Sequence, residues 1–202
     1  MDWSILHSLN NFLYRHDGVE DPWVFYVNVS EALFAATLVV VFLAAQGERW
    51  RDLRRAMTAA ALSAGVALAI GSVISHLVDR ARPFVADPGS VHLFVSHSSD
   101  PGFPSDHATA AFAIAVAILL RKRGWGLVAL VAAVLLSVGR VAVGVHYPSD
   151  VLAGAALGTI VAIALWWEPV RRRVDALSDF AGGIWDRAVS RGVEAVSRAS
   201  GR

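Results

Sequence analysis

Five stretches of this chain, near residues 24–46, 56–79, 106–121, 125–145 and 149–167, are apolar over roughly the length a helix needs to cross a bilayer. A span takes about 20 mostly apolar residues, and in hydrocarbon a backbone satisfies its own hydrogen bonds only as a helix or a closed barrel. Long unbroken runs favour helices. The reading is an all-α, polytopic membrane helix bundle with about five transmembrane helices, in one domain covering 1–202, the third run being short for a span. Charged residues make up only 17% of the chain, against about 25% in a typical soluble domain. There are no cysteines, so disulfides, thiolate metal sites and cysteine nucleophiles are excluded. The net charge of +1 gives no reason to expect a nucleic-acid partner, and membrane lipids are the expected surroundings.

Basic residues orient the bundle. "GERWRDLRR" follows the first run, "RKRG" the third and "RRR" at 171–173 the fifth. Alternating spans put all three on one side, which the bias of Lys and Arg makes the cytoplasm. The loop at about 80–105 and the turn near 146–150 then lie outside. Both ends of the chain read as amphipathic. Within residues 1–20, Trp3, Ile5, Leu6, Leu9 and Phe12 recur at helical spacing, as an interfacial helix or a short helix packed on the protein. Residues 171–202 read as a cytoplasmic amphipathic tail, with partial disorder as the alternative.

Three polar clusters converge on the outer edge: "DRARPF" at 79–84, "FPSDH" at 103–107 and "GRVAVGVHYPSD" at 139–150. Arg82 and Arg140 offer planar forks of donors suited to phosphate oxygens. Ser105, Asp106 and His107 stand where a helix begins, and exposed N–H groups with the positive end of the dipole favour an anion there. If Pro148 opens the last span, Asp150 reaches back towards His146 four residues earlier, leaving one ring nitrogen free as a nucleophile. Singly, each has an ordinary reading as a snorkelling anchor, a satisfied polar residue or a helix cap. Together they indicate a phosphate-handling site.

These clusters resemble the signature of the type 2 phosphatidic acid phosphatase superfamily: Lys, six residues, Arg-Pro; Pro-Ser-Gly-His; and Ser-Arg, five residues, His, three residues, Asp. Here they are Arg82–Pro83, residues 104–107, and Arg140, His146 and Asp150, in order. Three positions depart: Ser75 stands for the lysine, Asp106 for the glycine and Gly139 for the serine. Arg80 or His76 could compensate for the missing lysine. Asp106 could cap the helix or pair with an arginine. "FPSDHAT" with "VHYPSDVLAG" is similar to the bacterial undecaprenyl-diphosphatases linked to bacitracin resistance, which implies a polyprenyl diphosphate substrate, peptidoglycan lipid-carrier recycling and a site facing out of the bacterial inner membrane.

The resemblance implies that His146 attacks phosphorus to form a phosphohistidine, that Asp150 orients it, and that His107 protonates the leaving oxygen. Arg82, Arg140 and Ser105 would hold phosphate oxygens, with Asp106 and Arg80 as further substrate contacts and Ser75 as possible support. No metal or other cofactor is expected. His92, His97 and Asp100 in the outer loop read as structural or substrate contacts. Glu31, inside the first run, is expected to face the bundle interior and pair with a site Arg or His, because an unpaired carboxylate in the membrane is costly; an interhelical hydrogen bond is the plainer reading. The rival functions are a phosphatase for phosphatidylglycerophosphate or another lipid phosphate, and a non-catalytic lipid-phosphate binder or transporter.

Overall fold

In this computed structural model, which describes residues 1–200, every regular element among the described residues is helical. The order is α1 (Asp2–Tyr14), α2 (Asp17–Ala44), a 3₁₀ turn (Glu48–Trp50), α3 (Arg51–Val78), the short α4 (Pro83–Ala86), α5 (Asp106–Leu119), α6 (Arg123–Ala142), α7 (Pro148–Leu165) and α8 (Glu168–Ser200).

Four helices, α2, α3, α6 and α7, are long and apolar enough to cross a membrane. The third expected span is shorter than a bilayer. Its 14 residues in α5, at about 1.5 Å each, give ~21 Å against about 30 Å of hydrocarbon. Just past its end two ion pairs tie the chain down: Arg121 to Asp175 of α8 at 2.6 Å and Lys122 to Asp52 of α3 at 3.9 Å. Ala108, Ala111, Ala113, Ala115 and Ala117 of α5 are buried, with α3, α6 and α7 packed around it. A helix enclosed by neighbours need not match the lipid thickness.

Small residues permit that enclosure. α3 turns Ala56, Ala60, Ala64, Ala67 and Gly71 into the interior. On α7, a Cβ added at Gly154 would stand 2.5 Å from the Ser105 carbonyl oxygen, and one at Gly158 2.3 Å from that of Thr109. The two backbones are therefore in contact, held by dispersion at close approach. This contact sets the start of α5 against the start of α7.

Boundaries move for local reasons. α2 begins at Asp17 rather than near 24, because Asp17 and Glu20 occupy its first turn, where the helix dipole favours anions. α6 ends at Ala142 rather than near 145. Gly144 turns the chain at φ +87°, and a Cβ there would stand 2.7 Å from Val91 and 2.8 Å from the His92 carbonyl oxygen.

The terminal helices both dock. α1 packs on α6 and α7 with Leu6, Asn10 and Leu13 buried, while Ile5 and Phe12 of the expected apolar stripe are exposed. Asn10 donates to the carbonyls of His92 and Ala142 at 2.8 Å each and accepts from the His92 amide at 2.9 Å. α8 is one continuous helix. Its Asp179 accepts from Arg51 and Arg55, which hold this carboxyl well below the usual range, and Asp186 accepts from the buried Arg54. Residues 201 and 202 of the expected tail lie outside the described residues.

Candidate active site

The fold brings the three clusters together at the α1 end. His146 sits in the link between α6 and α7 and is only 2% exposed. Its Nδ1–H donates to the Gly102 carbonyl at 3.0 Å, which leaves Nε2 with its lone pair. Arg82 Nη1 donates to that nitrogen at 3.1 Å. Burial, with Arg140 and Arg82 nearby, holds His146 well below the usual imidazole range, so it is neutral near pH 7.

Asp150 does not hold the imidazole as the spacing suggested. It stands 3.7 Å from His146 Nδ1, beyond hydrogen-bond length. Its Oδ2 accepts from the Tyr147 amide at 2.8 Å and its Oδ1 from Arg80 at 2.7 Å. Pro148 does open α7, which makes Asp150 the third residue of the helix, and there its carboxylate closes the cap of its own helix. Spacing correctly gave proximity; the cap took the lone pair, and a backbone carbonyl from the 100–102 loop took over the imidazole.

Arg82 is 4% exposed and ties that loop down. Its Nε donates to the Asp100 carbonyl at 2.9 Å, its Nη1 to Val145 at 3.3 Å and its Nη2 to Pro101 at 3.4 Å. Arg140, at the last turn of α6 and 3% exposed, differs: Nε and Nη2 have no hydrogen-bond partner, and it forms no ion pair among the described residues. Ser105 is the N-cap of α5, accepting from the Ala108 amide at 3.5 Å, and its own amide donates to the Asp150 carbonyl at 3.0 Å. Arg80 is engaged elsewhere than on a substrate, with Ser149 and Asp150 at 2.7 Å and Asp2 at 3.0 Å. Ser75 lies one turn beyond Gly71 on α3, and its hydroxyl makes no hydrogen bond among the described residues.

A cavity of about 570 Å³ runs from His107 and Asp106 down an apolar wall that includes Phe34, Leu38, Ala64 and Leu68. Glu31 stands at its rim. The expected pairing is present, with Glu31 Oε2 at 3.4 Å from His107 Nε2, but its side chain is 80% exposed rather than turned into the bundle. Asp106 is exposed beside Gly71 and the cavity, and neither caps α5 nor pairs with an arginine among the described residues.

The outer-loop trio divides. His92 stacks on Tyr14 at 3.8 Å and supports α1, whereas the His97 ring stands edge-on to His146 at 6.3 Å and Asp100 lies 3.4 Å from Arg82. Nothing local in the sequence distinguishes these histidines, or marks the Gly102 carbonyl. The Gly154/Gly158 pair did carry a readable signal, two glycines one turn apart in an apolar helix. Gly139, where the motif has serine, is also explained: a Cβ there would stand 2.5 Å from Trp23 Nε1 and 2.6 Å from Val27.

The model of the PAP2 superfamily matches residues 55–173, which hold all three clusters. The chain belongs to the PAP2 superfamily. It is a phosphatase of PAP2 type built as a multi-pass membrane protein. It is 30% identical over 167 residues to the undecaprenyl-diphosphatase BcrC of Bacillus subtilis (strain 168), covering 80% of each chain. It is 36% identical over 145 residues to the putative undecaprenyl-diphosphatase YbjG of Escherichia coli (strain K12), covering 69% of this chain and 70% of that one. The crystal structure of a transmembrane PAP2-type phosphatidylglycerolphosphate phosphatase from Bacillus subtilis superposes with a TM-score of 0.61 at 20% identity, over 81% of this chain and 83% of that one. That likeness shows a shared PAP2 fold.

Proposed function

We propose that this PAP2 phosphatase hydrolyses a polyprenyl diphosphate, undecaprenyl diphosphate in particular, to the lipid monophosphate and inorganic phosphate, acting as one unit in the bacterial inner membrane with its site on the extracytoplasmic side. Names of the two relatives support the substrate, and the Lys and Arg bias supports the side. His146 Nε2 attacks the terminal phosphorus while the bond to the bridging oxygen breaks, and His107 gives that oxygen its proton. His107 then takes a proton from the water that attacks the phosphohistidine, which releases phosphate and restores His146. Arg82 shifts from Nε2 to the phosphoryl oxygens, joined by Arg140 and the Ser105 cap. Asp150 stabilises the charged imidazole through space, and Arg80 acts by holding Asp150. Asp106 stands at the mouth beside the lipid phosphate, and the prenyl chain lies along the apolar cavity wall.

The observation that carries this reading is Arg140. A buried guanidinium without a hydrogen-bonded partner costs several kcal/mol. Around this one stand Arg82, His107 and His146, and the carboxylates of Glu31 and Asp106 face it without forming an ion pair among the described residues. A phosphate in front of the nucleophile would supply the hydrogen-bonded anion that this guanidinium lacks. The test is phosphate release by purified protein from undecaprenyl diphosphate, phosphatidylglycerophosphate and phosphatidic acid, each with EDTA. The prenyl diphosphate is expected to be cleaved fastest; equal or faster release from a glycerolipid overturns the substrate. Turnover that disappears in EDTA and returns with a divalent ion overturns the metal-free route.

A further inference from the structure

The second residue of the chain reaches the chemistry. Asp2 opens α1, and its carboxylate accepts from Arg80 Nη2 at 3.0 Å, the Ser149 hydroxyl at 2.5 Å and the Ser149 amide at 3.2 Å. Arg80 Nη1 goes on to Asp150 Oδ1 at 2.7 Å, and its guanidinium lies over the Tyr147 ring at 4.1 Å. Asp150 is fully buried and stands 3.7 Å from His146 Nδ1. One continuous chain of contacts thus runs Asp2, Arg80, Asp150, His146. Trp3 fixes its start by packing edge-on against Tyr147 at 5.2 Å, and the buried Asn10 anchors the rest of α1.

We propose that Asp2 is a positioning residue for the nucleophile, setting through Arg80 the net charge that Asp150 presents to His146. Arg80 alone would neutralise Asp150. With Asp2 sharing the guanidinium, the group of two carboxylates and one arginine carries one net negative charge behind the imidazole. When Nε2 bonds to phosphorus while Nδ1 keeps its proton, the ring becomes cationic, and that net charge stabilises it. Replacing Asp2 by asparagine keeps the shape and one acceptor oxygen for the Ser149 amide but leaves the group neutral.

This inference rests on His146 being the nucleophile, so His146→Ala is measured in parallel. D2N is expected to lower kcat on the order of tenfold with KM little changed, the effect of one unit charge across ~12 Å at an effective dielectric near 20. Orthovanadate, which mimics the five-coordinate transition state, should inhibit D2N more weakly by the same factor, while inhibition by inorganic phosphate stays as in the wild type. D2E should recover most of both. Unchanged kcat and vanadate inhibition in D2N overturn the proposal, as does equal weakening by vanadate and phosphate, the mark of a merely distorted site. Turnover surviving in His146→Ala would instead remove the nucleophile assignment on which it stands.

Discussion

The close approach of α5 and α7 gives the sharpest test of how the fold sets the site. A Cβ at Gly154 would lie 2.5 Å from the Ser105 carbonyl oxygen and one at Gly158 2.3 Å from that of Thr109, where ordinary contact starts at 3.4 Å. Both obstacles are backbone atoms, so the helices must separate by about 1 Å to admit even a methyl group, and overpacking of this kind costs about 1–3 kcal/mol. The larger effect is on catalysis. Ser105 and His107 ride on α5, Asp150 rides on α7 with His146 just before it, and a misplacement of ~1 Å costs on the order of 10²-fold in rate. Gly154→Ala is therefore expected to lose about two orders of magnitude in kcat while remaining folded. Gly65 is the internal control. A Cβ there meets nothing within 4 Å, so Gly65→Ala should leave turnover intact and add up to about 1 kcal/mol of helix stability. Phosphate release and thermal unfolding in detergent read both quantities. Near-wild-type turnover in Gly154→Ala would refute the claim that backbone contact sets the site geometry.

Other perturbations follow from the same geometry. Arg140→Met should cut turnover about 10²–10³-fold yet raise the unfolding temperature, since it removes a buried charge with no partner; a lower unfolding temperature would mean the guanidinium is paired when the site is empty. Glu31→Gln should lower kcat several-fold by removing the carboxylate 3.4 Å from His107, and full turnover with unchanged stability would sink its supporting role. Burial, Arg140 and Arg82 keep His146 well below its ordinary 6.5, so the acid limb of kcat/KM that belongs to the nucleophile should fall below pH 6.5. The folded chain binds fewer protons at His146 than the unfolded one, so its contribution to stability is full above that pH and declines as pH falls. A nucleophile limb above pH 7 in the wild-type profile would contradict the burial argument.

What the sequence made legible was chemistry carried by residue type and short spacing. Arg82, Ser105, His107, Arg140 and His146 could be collected before any fold was known, because motif order survives without coordinates. Apolar length gave the spanning helices, though the apolar run truncated α2 by leaving out Asp17 and Glu20, which suit a helix start. It also overestimated α5, since apolarity cannot tell lipid-facing from protein-enclosed. The orientation of His146 was not legible. Two acceptors compete for Nδ1, and the winner, the Gly102 carbonyl, is a backbone atom 44 residues away. The Asp2–Arg80–Asp150 chain was equally hidden, because it joins residues 70 and more positions apart through contacts that no local pattern encodes.

The flank of the cavity carries a kinetic consequence. Ala35 and Val39 of its lining are exposed on α2 and Ala61 on α3, both helices long and apolar enough to cross a membrane. On the proposed reading, a substrate that enters there never leaves the bilayer, and encounter becomes a two-dimensional search. Rates then follow the mole fraction of substrate in the lipid or micelle phase and not its bulk molarity. Adding neutral detergent at constant total substrate will slow the enzyme as an inhibitor would, although nothing competes for the site.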